Sequence, residues 1–246
     1  MKVEIKTLKQ CMQYLSVFVL ITLGGGNIAY AQMEADIPDI LQCTRAVAEM
    51  EKEYQIPAYI LHAISMTETG KQSKINDTSY FAPWPWTANI EGQGVYFATQ
   101  QEAVEAIETA LSQGKKSIDV GCMQINLKFH KDAFETLDDA FDPEYNVRYA
   151  SEFLRSLYER YKDWPKAVER YHSATPKYYK KYRKLVSKNW DRAEELLRPN
   201  QGRLAMALAD YDHKNIASSY GQNDFKIRRM QHVAQLRAKV RSQIKN

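Results

Sequence analysis

A chain of 246 residues that is 44% hydrophobic and 26% charged holds enough apolar side chains for one real core, and its patterning excludes a repeat array or a long low-complexity tract. The net charge of +4 hides an asymmetry: Lys177–Asn246 carries 17 basic against 6 acidic side chains, whereas Gln32–Pro176 carries 14 against 23. An acidic globular part bearing a basic tail argues against nucleic acid as the partner of the main domain.

Residues 1–31 read as a cleavable signal peptide. Lys2, Lys6 and Lys9 form a basic start, Tyr14–Leu23 is apolar, and Ala29-Tyr30-Ala31 supplies the small-x-small site before Gln32. The apolar run is about half the ~20 residues a membrane helix needs, so no transmembrane segment is expected once the leader is removed. Cys11 precedes that run and is not placed for lipid attachment. Two cysteines remain in the exported chain, Cys43 and Cys122. An oxidising compartment favours a bridge between them over two buried thiols. The five histidines are scattered, no metal-ligand spacing is present, and no cofactor is implied.

A first helix is predicted from about Ile40 to Tyr54, capped by Asp39, with Cys43, Val47, Met50 and Tyr54 on one face. A second is predicted to start at Pro57 and stop at Gly70. On it Leu61, Ile64 and Glu68 share a face, so a side that points Leu and Ile into a core also points a carboxylate there. Burial and the negative end of the helix dipole would both raise that carboxyl's pKa, as proton donation to a glycosidic oxygen requires. The alternative is an ordinary Glu in a last turn, reaching water.

Lys71–Ser79 reads as a polar loop. Trp86–Ile90 and Val95–Ala98 read as a hairpin around Glu91-Gly92-Gln93-Gly94. Trp84, Trp86 and Tyr96 either offer flat faces to sugars or pack the hairpin. Thr99-Gln100-Gln101-Glu102 is a capping box opening a helix that Gly114 closes. Ser117–Asn126 is partly extended, and Asp119 in it reads as a turn or capping residue, the alternative being a second carboxylate of the site. Asp142-Pro143 and Asp163-Trp164-Pro165 each open a helix. Leu185–Leu197 is compatible with a helix. From Pro199 the core signal weakens, and residues 199–246 are expected as a basic tail of short helices or without stable structure.

Three short motifs stand in order: Glu68-Thr69-Gly70, Gly121-Cys122-Met123-Gln124 and Tyr171-His172-Ser173. They resemble the signature of the soluble lytic transglycosylase family, whose pattern is Glu-Ser-Gly, Gly-Leu-Met-Gln and Ala-Tyr-Asn. The resemblance covers about Cys43–Thr175. It departs at Thr69 for Ser, at Cys122 for Leu and at His172 for Asn, and the segment between the first two motifs is longer than in the simplest members.

The resemblance implies a mainly α, lysozyme-like domain over residues 32–198, with a small β-hairpin element beside the cleft. It implies a periplasmic or envelope enzyme that cuts peptidoglycan glycan strands, with Glu68 as the single catalytic acid and base. Met123 and Gln124 would belong to the loop that meets the substrate, joined by Asn126 and His172. Tyr171 would hydrogen-bond Glu68. An envelope-spanning secretion, conjugation or flagellar assembly is the partner that analogy suggests. A water-using muramidase and a non-catalytic glycan-binding or assembly protein are the alternatives.

Overall fold

The computed structural model describes residues 38–75 and 77–216; the expected leader (1–31) and most of the basic tail lie outside the described residues. Helix α1 (Asp39–Glu53) begins one residue earlier than expected, with Pro38 outside it and Asp39 in its first turn, where a carboxylate suits the helix dipole. Its buried side carries Ile40, Leu41, Cys43, Val47 and Met50.

Helix α2 (Ile60–Thr69) starts three residues later than the sequence suggests, because Pro57 belongs to the turn before it. Tyr59 precedes the helix at φ +70° and supplies no side-chain cap. Glu51 of α1 does that work instead. Its carboxylate accepts from the backbone N–H of Tyr59 (3.0 Å), Leu61 (2.8 Å) and His62 (3.3 Å), satisfying donors that a helix start leaves open.

The segment expected as a polar loop is a hairpin: β1 (Gly70–Ile75) pairs antiparallel with β2 (Thr78–Pro83). Backbone pairing and a Gln72 to Ser79 side-chain bond of 2.9 Å hold it. No alternation of apolar residues in Gly70–Ile75 announces it. Gly70 is required by close approach, since a Cβ there would stand 2.3 Å from both the Phe81 ring and the Met66 carbonyl.

The second hairpin is as expected but tighter. β3 (Thr87–Ile90) and β4 (Gln93–Tyr96) flank Glu91-Gly92, both at positive φ (51° and 95°), the geometry that matches strand twist. Helix α3 (Gln100–Ser112) is capped by Thr99, which accepts from Glu102 N, while the Glu102 carboxylate reaches back to Ala98 N. Strands β5 (Ile118–Val120) and β6 (Ile125–Asn126) complete an antiparallel sheet of order β4-β3-β5-β6. Ala103, Ile107 and Ala110 of α3 close its inner face with Ala88, Ile118, Val120 and Phe141.

A short helix α4 (Leu137–Phe141), with a Thr136/Asp139 capping box, was not anticipated. Asp142 then caps α5 (Pro143–Tyr161), and Asp163 caps α6 (Trp164–His172), as their Asp-Pro and Asp-Trp-Pro openings indicate. Helix α7 (Pro176–Leu197) starts nine residues before the expected helical stretch. Helix α8 (Arg203–Ile216) buries Leu204 against Ile40, Leu41, Met66 and Leu196. The architecture is mainly α with a small antiparallel sheet, the lysozyme-like class. Its largest core joins α1, α2, α5, α6 and α7 around the Gly121–Gln124 turn.

Candidate active site

Glu68 lies in the last turn of α2, recessed but with part of its surface open. The turn is fastened to the β5–β6 connection from several sides. Ser65 Oγ and Thr69 Oγ1 both donate to the Cys122 carbonyl, at 2.9 and 3.1 Å. A hydroxyl suffices at position 69, so Thr serves where the family pattern has Ser. Asn189 of α7 donates to Thr67 Oγ1 at 2.9 Å.

The Gly121–Gln124 turn is built on Asn146 of α5. Asn146 Oδ1 accepts from Met123 N, and its Nδ2 donates to the carbonyls of Val120 and Ala140, each at 2.9 Å. Gly121 holds φ +75°, and a Cβ on it would stand 2.3 Å from Asn146 Nδ2, so both conformation and space demand glycine. A disulfide (S–S 2.08 Å) joins Cys122 in this turn to Cys43 on α1.

The hydroxyl that donates to Glu68 is that of Tyr182, at 2.6 Å from Oε1. This corrects the role given to Tyr171, whose hydroxyl donates instead to the Met123 carbonyl at 2.9 Å. Tyr171 braces the turn; Tyr182, arriving on α7, braces the acid. Among the described residues no hydrogen-bond donor reaches Glu68 Oε2. Burial pushes the Glu68 carboxyl up from 4.5 to about 7, against the opposing pull of the Tyr182 hydrogen bond and with a further push from the charge of Asp119.

Asp119 is not the turn residue expected. It sits mid-strand in β5, paired with Asn89 and Asn126, and its charge reaches Glu68, Tyr171 and His172. Burial raises its pKa, and a 2.8 Å bond from Asn126 Nδ2 opposes that rise. Asn126 is spent on structure: besides Asp119, its Oδ1 accepts from the backbone N–H of Lys128 and Phe129. A substrate-contacting role for its side chain is therefore replaced by loop closure.

The Met123 side chain is fully buried in the helical core and presents no surface to a ligand, which corrects the substrate contact expected of it. Gln124, at φ +48°, donates its two amide hydrogens to the carbonyls of Thr87 and Gly121, at 3.0 and 3.1 Å. Its Oε1 is the end left to meet an N–H such as that of an acetamido group. The exposed His172 ring lies flat on Tyr182, with centroids 4.3 Å apart and planes within 5°. Desolvation of its covered part lowers its pKa, and the Asp119 charge opposes that shift. Among the described residues no group of three or more His, Cys, Asp or Glu side chains could hold a metal ion, and no helix is long and apolar enough to cross a membrane.

Comparison with curated proteins and with solved structures gives no match. A protein-family model described as the transglycosylase SLT domain matches residues 45–191, a span that runs from α1 through Glu68, Asp119, the Gly121–Gln124 turn, Tyr171 and Tyr182. Since that span is more than half of the sequence, the chain belongs to the transglycosylase SLT domain family.

Proposed function

We propose that this chain is an exported peptidoglycan lytic transglycosylase that cuts the β-1,4 bond between N-acetylmuramic acid and N-acetylglucosamine. The observation that carries the reading is Glu68: one recessed carboxyl, oriented by the Tyr182 hydroxyl and pushed up to about 7, so that its acid form persists near neutrality. With Oε1 engaged by Tyr182, Oε2 is the oxygen that carries the mobile proton.

The cycle balances on that one group. Glu68 gives its proton to the glycosidic oxygen as the bond to muramic C1 breaks and oxocarbenium character develops there. The carboxylate then takes the proton of the same sugar's C6 hydroxyl as that oxygen bonds to C1. The product is a 1,6-anhydromuramoyl end, Glu68 is protonated again, and no water is consumed. Glycosidases that use water rely on a second carboxyl group; here the substrate's own hydroxyl takes the place of the added nucleophile. Gln124 Oε1 and the exposed edge of His172 are the groups suited to orient the sugars. Periplasmic location, and service to an envelope-spanning assembly, belong to the same proposal.

Asp119 favours one alternative, a muramidase that activates water, because it is a second carboxyl electrostatically coupled to Glu68. Digestion of purified peptidoglycan by wild type and by Glu68→Gln, with products identified by mass, tests both. Anhydro ends from wild type and none from the variant are expected. Reducing ends would establish the muramidase, and undiminished digestion by the variant would remove Glu68 from the chemistry.

A further inference from the structure

The β1–β2 and β3–β4 hairpins meet next to Glu68. Tyr96 donates its hydroxyl to the carbonyl of Gly70 at 3.2 Å, two residues past the acid. The next residue, Lys71, lays its ammonium 4.2 Å from the Trp84 ring centroid and 5.4 Å from that of Tyr96. Trp84 is itself fixed. Its Nε1 donates to the Phe97 carbonyl at 2.8 Å, and its ring meets the buried Trp86 edge-on, at 5.6 Å and 86°.

This arrangement settles what the aromatic residues hold. Trp86 is only 9% exposed, and Lys71 covers a face of Trp84, so neither indole presents a clear platform for a sugar ring. They hold a cation instead. Ring faces attract an ammonium but do not satisfy its three N–H donors. Lys71 has no carboxylate partner among the described residues, and it is the one lysine among them whose ammonium lies over two rings. The side chain stays partly exposed, in a region (Gln32–Pro176) whose charge is otherwise net negative. An orphan cation fixed by two rings in an acidic domain is built to receive an anion.

We infer that Lys71, held by Trp84 and Tyr96, is a carboxylate-binding site that engages an acid group on the muramic acid side chain of the substrate. This rests on the peptidoglycan reading above and names the chemistry that reading leaves open. The carboxylate belongs either to the attached peptide or to the lactyl group once the peptide is removed. A bound acid at Lys71 fixes the strand's register relative to Glu68.

The test reads binding, so that turnover plays no part. The Glu68→Gln protein is titrated onto insoluble peptidoglycan in three forms: native, with its carboxyls amidated, and stripped of peptide by an amidase. Amidation is expected to weaken binding about tenfold, the scale of one charge-assisted contact. Adding Lys71→Met should cost the same factor on native material and leave binding indifferent to amidation, while Lys71→Arg should restore most of it. Lys74→Met, on the same strand and with the same charge change, should behave as its parent. Loss on stripped material confines the site to the peptide carboxylate, and retention shows that the lactyl carboxylate freed by the amidase takes its place. The inference is overturned if Lys71→Met keeps its dependence on substrate carboxyls, or if Lys74→Met falls equally, which would make the effect bulk charge. Wild-type digestion run beside it fails independently if the enzymatic reading is wrong.

Discussion

Glu68→Gln keeps the shape of the side chain and a carbonyl to accept from Tyr182, but removes the ionisation. The wild-type carboxyl is pushed from 4.5 to about 7 in the folded chain. Between those values the unfolded chain has lost a proton that the folded chain still holds. The stability from this group is therefore fully present below pH 4.5 and is lost as pH rises through about 7. At about 1.4 kcal/mol per pH unit the full loss approaches roughly 3 kcal/mol, and the open side of the carboxyl trims it to about 2–3. Glutamine carries no such penalty. Urea unfolding of both proteins at pH 4, 6 and 8, with the disulfide intact and salt held constant, should show near-equal stability in acid and the variant ahead by that margin at pH 8. A difference that does not change with pH, or a wild type that is the more stable at pH 8, would refute a recessed, uncharged Glu68.

Three further outcomes follow from the same geometry. Tyr182→Phe removes the bond that pulls the Glu68 pKa down, so the alkaline limb of the kcat/KM profile should move to higher pH while the rate falls about tenfold from lost orientation. Asp119→Asn removes a charge that pushes that pKa up, so the same limb should move to lower pH with anhydro products unchanged; complete loss of activity would instead favour the water-using mechanism. Replacing Cys43 and Cys122 together by serine opens a loop of 79 residues, for which chain entropy allows up to about 4.5 kcal/mol and practice about 2–4, so a Tm unaffected by the substitution or by reductant would contradict the bridge's role.

Much of this molecule is legible in short local signals. Asp142-Pro143 and Asp163-Trp164-Pro165 open their helices because a capping carboxylate and a donor-free proline suit a first turn, and both caps form. The three motifs converge because Ser65, Thr69, Tyr171 and Asn146 all bond to the Gly121–Gln124 turn or to the strand leading into it. What escaped depends on partners far away in sequence. Glu51 caps α2 from another helix, which no window around Pro57 reveals. The β1 strand lacks an apolar face and exists through its pairing with β2. Asp119 reads as a turn former until its strand partners are known.

Tyr182 is hidden in the sequence because Lys180, Lys181, Arg183 and Lys184 surround it and suggest a solvated stretch. The signal was nonetheless present. Tyr182, Val186, Ala193 and Leu196 follow one another at helical intervals through the basic run, and all four are buried. A stripe read across a charged helix would have placed its inner face in the core. It would not have singled out which member meets the acid.

The bond between Tyr182 and Glu68 spans 114 positions, and Asn189 reaches Thr67 over 122. A ribosome builds the acid long before it builds either brace, and any export running from the N-terminus delivers them in the same order. A site of this kind is left unfinished while the chain is being made. It is assembled only when α7 docks, so a product truncated ahead of that helix carries the motif glutamate without the groups that orient it.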